Sequence, residues 1–156
     1  MPKKHARFLE CCVTSLEEAL EAQAGGAQRV ELCEQLSVGG VTPSSELIRS
    51  VRESLGIPVN VLVRPRGGHF RFSEEEVETM LASIAECKEL GVNAVVIGAL
   101  DSNGDVDMPV MRRLIDAARP MKVTFHRAFD VCRNPLKAFE DIISLGCERL
   151  LTSGHE

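Results

Sequence analysis

The chain has 156 residues, 44% of them apolar, and a formal net charge of −5, enough apolar material for one domain with a substantial core. Negative charge without a block of lysine and arginine argues against a nucleic-acid partner, which needs clustered cations to neutralise phosphates. The opening MPKKHARFLE has charges but no apolar core or small-residue cleavage site, and no later stretch could span a bilayer, so a secreted or membrane protein is not expected and a cytoplasmic location is. In that reducing compartment the six cysteines read as thiols or soft-metal ligands rather than as a disulfide framework.

In chain order, residues 8–13 form a short apolar segment expected to be a strand. Thr14 with Glu17 has the spacing of a capping box, opening a helix that carries Leu16, Ala19 and Leu20 and stops at Gly25 and Gly26. Residues 29–33 predict a second strand. Thr42 is expected to cap the next helix and Pro43 to occupy its first turn, ahead of Leu47, Ile48, Val51 and Leu55. Residues 58–64 predict a third strand, running into RPRGGH. Ser73 with Glu76 makes another capping box before a long helix whose apolar face is Val77, Met80, Leu81, Ile84 and Cys87. Residues 94–99 predict strand four. The Asn-Gly pair in LDSNGDVD predicts a small hairpin excursion; a calcium loop would need an acidic twelfth ligand where Arg112 stands. A helix over residues 108–118, a strand over 122–126, a helix from Asn134 and Pro135 to about Leu145, and a strand over 149–154 complete the pass.

This repetition of strand, loop, helix and glycine stop predicts an α/β fold with a parallel sheet. The dinucleotide fingerprint of an open doubly wound sheet is missing after strand one, which favours a (β/α)8 TIM-type barrel. About six units are present where a barrel has eight, so residues 1–156 read as a single barrel domain truncated before strands seven and eight.

In such a barrel the reactive face lies at the carboxyl ends of the strands. Strands one and two each offer a Glu-x-Cys pattern, Glu10 with Cys12 and Glu31 with Cys33, whose two side chains share a face because strands alternate with period two. The two thiols could clasp a soft ion such as Cu(I), or simply be small buried hydrophobes. Arg64 and Arg66 beside Gly67 and Gly68 suit bidentate capture of a small anion; the alternative is ion pairing with Glu10 and Glu31. Strand five ends in His126, Arg127 and Asp130, where a histidine beside carboxylates can act as general acid or base, ligate a metal, or be structural. An enzyme would use Arg64, Arg66 and Arg127 to hold the anion and His126 with Glu10, Glu31 or Asp130 to move a proton.

The strings ECCV, RVELC, GGVTPS, RPRGG, VTFHRAFD and RLLTSG, in this order across almost the whole chain, resemble those of the CutC copper-homeostasis protein family. The resemblance implies a (β/α)8-type barrel in the cytoplasm, assembly as dimers or higher homo-oligomers, and a part in copper handling. It also implies Cu(I) ligation through cysteines that fall on Cys12 and Cys33, and a cluster of acid, arginine and histidine residues with the look of an enzyme site.

Overall fold

The computed structural model describes residues 7–155. Most of the charged opening on which the leader reading rests, residues 1–6, lies outside them. Six strands, β1 (Glu10–Val13), β2 (Arg29–Leu32), β3 (Val59–Leu62), β4 (Ala94–Ile97), β5 (Lys122–Phe125) and β6 (Arg149–Leu150), alternate with five helices. These are α1 (Leu16–Ala24), α2 (Ser45–Ser54), α3 (Glu74–Glu89), α4 (Met108–Ala118) and α5 (Pro135–Ser144). All five strand pairings are parallel and the spatial order is the chain order. A doubly wound sheet would reverse its order at a switch point; this one does not. Side chains from the first two strands and the last two, Glu10, Arg29, Thr124 and Arg149, line a common cavity, so the sheet curls into a half-barrel.

Strand parity divides the molecule. Val30, Leu32, Val59, Val61, Val95, Ile97, Val123 and Phe125 point outward and join Ala19, Ile48, Val51, Met80, Ile84, Met111 and Leu114 of the helices in the main core. The concave side has only a small apolar cluster, Cys33, Leu62 and Val96, and carries the buried polar residues Arg29, Glu31, Asn60 and Thr124. Burying polar groups without partners is unfavourable, so this face is where function is to be sought.

Local signals were displaced by one or two residues at two helix starts. Ser15, not Thr14, caps α1 by accepting from the Glu18 backbone N–H, while the Thr14 backbone N–H donates to the Glu18 carboxylate at 2.6 Å. Ser44, not Thr42, caps α2. Thr42 Oγ1 instead accepts from the Arg64 N–H at 2.8 Å and donates to the Arg64 carbonyl at 3.1 Å, serving tertiary structure rather than a helix end. The Ser73–Glu76 capping box forms as the spacing implies and Asn134 opens α5 as expected, while Asp107 caps α4. Leu100 pairs with Val106 in an antiparallel bridge around the Asn-Gly turn, the expected excursion, while β6 is shorter than its sequence suggests. No helix among the described residues is long and apolar enough to cross a membrane.

Candidate functional site in the half-barrel mouth

A cavity of ≈ 430 Å³ opens at the strand carboxyl ends, lined by Glu10, Cys12, Glu31, Arg64, Phe70, His126 and Arg127, with Leu36, Gly39, Leu62 and Leu151 between them. Period two explains why β1, β2, β3 and the residues that continue β3 and β5 deliver Glu10, Cys12, Glu31, Arg64 and His126 to one side; Phe70 and Arg127 come from the segments after β3 and β5. Cys33 reaches the same site through Cys12: their Sγ atoms lie 3.6 Å apart. The register pairs Cys12 with Glu31 rather than with Cys33, so the two thiols meet diagonally across the strands.

The two thiols differ in environment. Cys12 is exposed and Cys33 is 1% exposed. The hydrogen bond from Cys33 brings the Cys12 thiol down to about 7 against the opposing effects of burial, Glu10 and Glu18. The same bond, then burial, pushes Cys33 up, so Cys33 keeps its proton when Cys12 has lost its own. Sulfurs 3.6 Å apart can both reach one ion at ~2.3 Å only at a bent angle; a linear two-sulfur ion would need them to part to about 4.6 Å. Among the described residues no three of His, Cys, Asp and Glu converge on a point, so His126 is not grouped with the two thiols. Glu31 is pushed up to about 8, first by burial and then by the charge of Glu10.

The cations are distributed differently from the sequence-based alternative. Glu10 pairs with Arg29 of its own register row, not with Arg64 or Arg66. Arg64, 5% exposed, gives its terminal nitrogens to three backbone carbonyls, Val38 at 3.1 Å, Gly40 at 3.1 Å and Gly68 at 2.6 Å. Arg66 turns away to Glu76, at 2.5 Å, and to the carbonyls of His69 and Arg71, and does not line the cavity. Asp130 also stands outside it. Its carboxylate accepts from Arg127 Nε at 2.9 Å, from Thr152 Oγ1, and from both the backbone N–H and the hydroxyl of Ser153, at 2.9 and 2.8 Å. These bonds outweigh the effect of burial and hold it well below the usual carboxylate range. Arg127 reaches the cavity rim while bound to Asp130.

His126 is 5% exposed. Its Nδ1 accepts from the Ala128 backbone N–H at 3.1 Å, which assigns the proton of the neutral ring to Nε2. Burial, reinforced by the neighbouring Arg64 charge, lowers its pKa to about 3. At neutral pH this ring is an uncharged hydrogen-bond donor, and taking up a proton from a substrate is strongly opposed.

Three contributors were not singled out from sequence: Arg29, Phe70 and Gly98. Gly98 follows β4, and a Cβ there would lie 2.6 Å from His126 Cε1. An isolated glycine at a strand end is the available signal for such close approach. Gly98→Ala is expected to cost roughly 1–3 kcal/mol in urea unfolding and to displace the His126 ring resonances in an NMR spectrum.

The CutC family profile matches residues 7–156. A CutC family protein of Parabacteroides distasonis is 52% identical over 151 residues, covering 96% of this chain and 62% of its own length. One from Xylella fastidiosa is 56% identical over 146 residues, covering 94% of this chain and 55% of its own. The chain thus spans less than two thirds of these relatives. Among solved structures, that of a CutC protein from Streptococcus agalactiae, provisionally assigned to copper homeostasis, matches with a TM-score of 0.91 at 34% identity, covering 96% of this chain and 73% of its own. With the profile matched from residue 7 onward and half of its residues shared with curated relatives, the chain belongs to the CutC family.

Proposed function

We propose that this protein handles copper by holding one Cu(I) between Cys12 and Cys33. The observation that carries the reading is the 3.6 Å contact between the two sulfurs at the mouth of an open cavity. Thiolates are the soft ligands that select Cu(I) over harder ions. Cys12 is the entry ligand, exposed and ionised near neutrality; Cys33 loses its proton only as the metal arrives, so tight binding should release protons and strengthen as pH rises. Copper homeostasis is the role named for the Streptococcus agalactiae relative. A reducing cytoplasm would keep both thiols available. In the same reading the six units belong to an eight-unit barrel, which would cover the open edges at β1 and β6, and the whole protein is a homodimer.

Anaerobic Cu(I) titration against a chromophoric chelator tests this. Expected is about one Cu(I) per chain, lost in the Cys12→Ser, Cys33→Ser double variant. Unchanged stoichiometry in that variant would remove these ligands from the account.

A further inference from the structure

Among the described residues, two buried N–H groups of cavity-lining side chains have no acceptor. They are Nε of Arg64 and Nε2 of His126, both fully shielded and both without a hydrogen-bond partner. A buried donor left unpaired is destabilising, and such groups are rare enough in native proteins that each calls for a physical reason. Neither side chain can relieve the shortage by turning. Arg64 is fixed by three carbonyl acceptors on its terminal nitrogens and by Thr42 on its backbone. His126 is fixed by the Ala128 N–H on its other nitrogen and by the close approach of Gly98 beneath its ring.

The two donors share a neighbourhood. The Arg64 guanidinium carbon lies 4.6 Å from the centre of the Phe70 ring, and that ring lies 5.1 Å from the imidazole of His126. All three residues line the one cavity. Its charge balance is also unusual. Among the described residues Arg64 makes no salt bridge, whereas Glu10 is taken by Arg29, Arg127 by Asp130, and Glu31 is kept largely protonated at neutral pH by burial and Glu10. A buried guanidinium satisfied only by carbonyls has no carboxylate partner of its own, and donors beside such a charge favour an anionic oxygen.

We propose that Arg64 Nε–H and His126 Nε2–H form a subsite for the carboxylate of a small organic acid, reached when the half-buried Phe70 ring shifts aside. A carboxylate, with two acceptor oxygens and one negative charge, matches two unpaired donors beside one guanidinium; a phosphate dianion would call for more donors than are free among the described residues. The cavity volume falls within the range of small-molecule sites, about 300–1,000 Å³, and its apolar walls, Leu36, Leu62 and Leu151, favour an acid with a short hydrocarbon body. The proposal goes beyond the Cu(I) reading and does not depend on it, since neither donor belongs to a thiol.

The test uses metal-free protein titrated with isobutyrate and, separately, with inorganic phosphate, read by NMR at the His126 Nε2–H and Arg64 Nε–H resonances. Expected is one saturable transition for isobutyrate at both groups, weakened about tenfold in His126→Phe. It should persist in the Cys12→Ser, Cys33→Ser variant, which separates this site from the copper ligands. Lack of a saturable shift in the wild-type protein would overturn the proposal without need of any variant. A response to phosphate alone would overturn the carboxylate assignment, and loss of binding in the double cysteine variant would move the ligand to the thiols.

Discussion

Acidification from pH 7 to pH 4 should remove about 3 kcal/mol of stability through His126 alone. In the folded protein burial and the adjacent Arg64 hold this histidine down to about 3, whereas in the unfolded chain it titrates near its usual value of about 6.5. Between those two values the unfolded state binds the extra proton, so stability rises with pH across the window and its loss begins as pH falls below about 6.5. The ring cannot escape by accepting a proton in place, because Nδ1 already accepts from the Ala128 N–H and would have to give up that bond. Urea unfolding of the wild type and of His126→Gln at a series of pH values checks this. Glutamine carries no titratable group, so its stability curve should be flatter between pH 6.5 and 4 by about that amount, even if its absolute stability is lower. Parallel curves for the two proteins would show that His126 is not the group responsible.

Asp130→Ala is expected to cost roughly 2–4 kcal/mol and to free the segment that follows β6. The carboxylate is buried and binds Arg127, Thr152 and Ser153 at once, with the His155 backbone N–H at 3.3 Å. It thereby ties residues 152–155 to the turn after β5, across a strand of only two residues. Removing it leaves several of those donors without an acceptor in a half-buried setting. Hydrogen exchange should rise at Ser153 and His155, which donate to this carboxylate, and much less at β2 and β3. Asp130→Asn, which keeps one acceptor and the shape, should lie between the two. Since the folded carboxyl is depressed, its contribution is present above the unfolded value of about 3.9 and is lost as pH falls below it. The Asp130 loss therefore begins at lower pH than the His126 loss, and the two variants separate them.

These two residues stand four positions apart in VTFHRAFD, the run in which an apolar strand gives way to titratable groups. In sequence they look like partners in one proton-transfer pair. In the folded chain they diverge: His126 follows the parity of Thr124 into the half-barrel, while Asp130 lies at the end of a 3-10 turn and binds the next strand's loop. The turn, not the strand, decides where Asp130 points, and no periodicity extends through it.

The arginines divide in the same way. The RPRGG string makes Arg64 and Arg66 look like a pair of anion ligands. Arg64 does stand at the cavity, because it continues the inward parity of β3. Arg66 has the same parity by number, yet the chain has left the strand by then. A carboxylate from the capping box, Glu76, with nearby carbonyls, captures it. The neutralisation of Glu10 fell to Arg29, which sits beside it in the parallel register. A two-residue shift in that register would have given a different pair, and register is a tertiary property.

By itself the amino-acid sequence determined the order of strands and helices, the parallel α/β architecture, and the fact that Glu10, Cys12, Glu31, Arg64 and His126 share one side of the sheet. Those follow from short-range rules: alternation in strands, spacing in helices, and glycine at helix ends. Only the tertiary structure decided that the two cysteines meet on a diagonal, that one of them ionises while the other keeps its proton, and that His126 is an uncharged donor rather than a base. Each of these depends on which distant backbone group occupies a hydrogen-bonding position and on how much water is excluded there, and neither quantity is encoded in any short window of the chain.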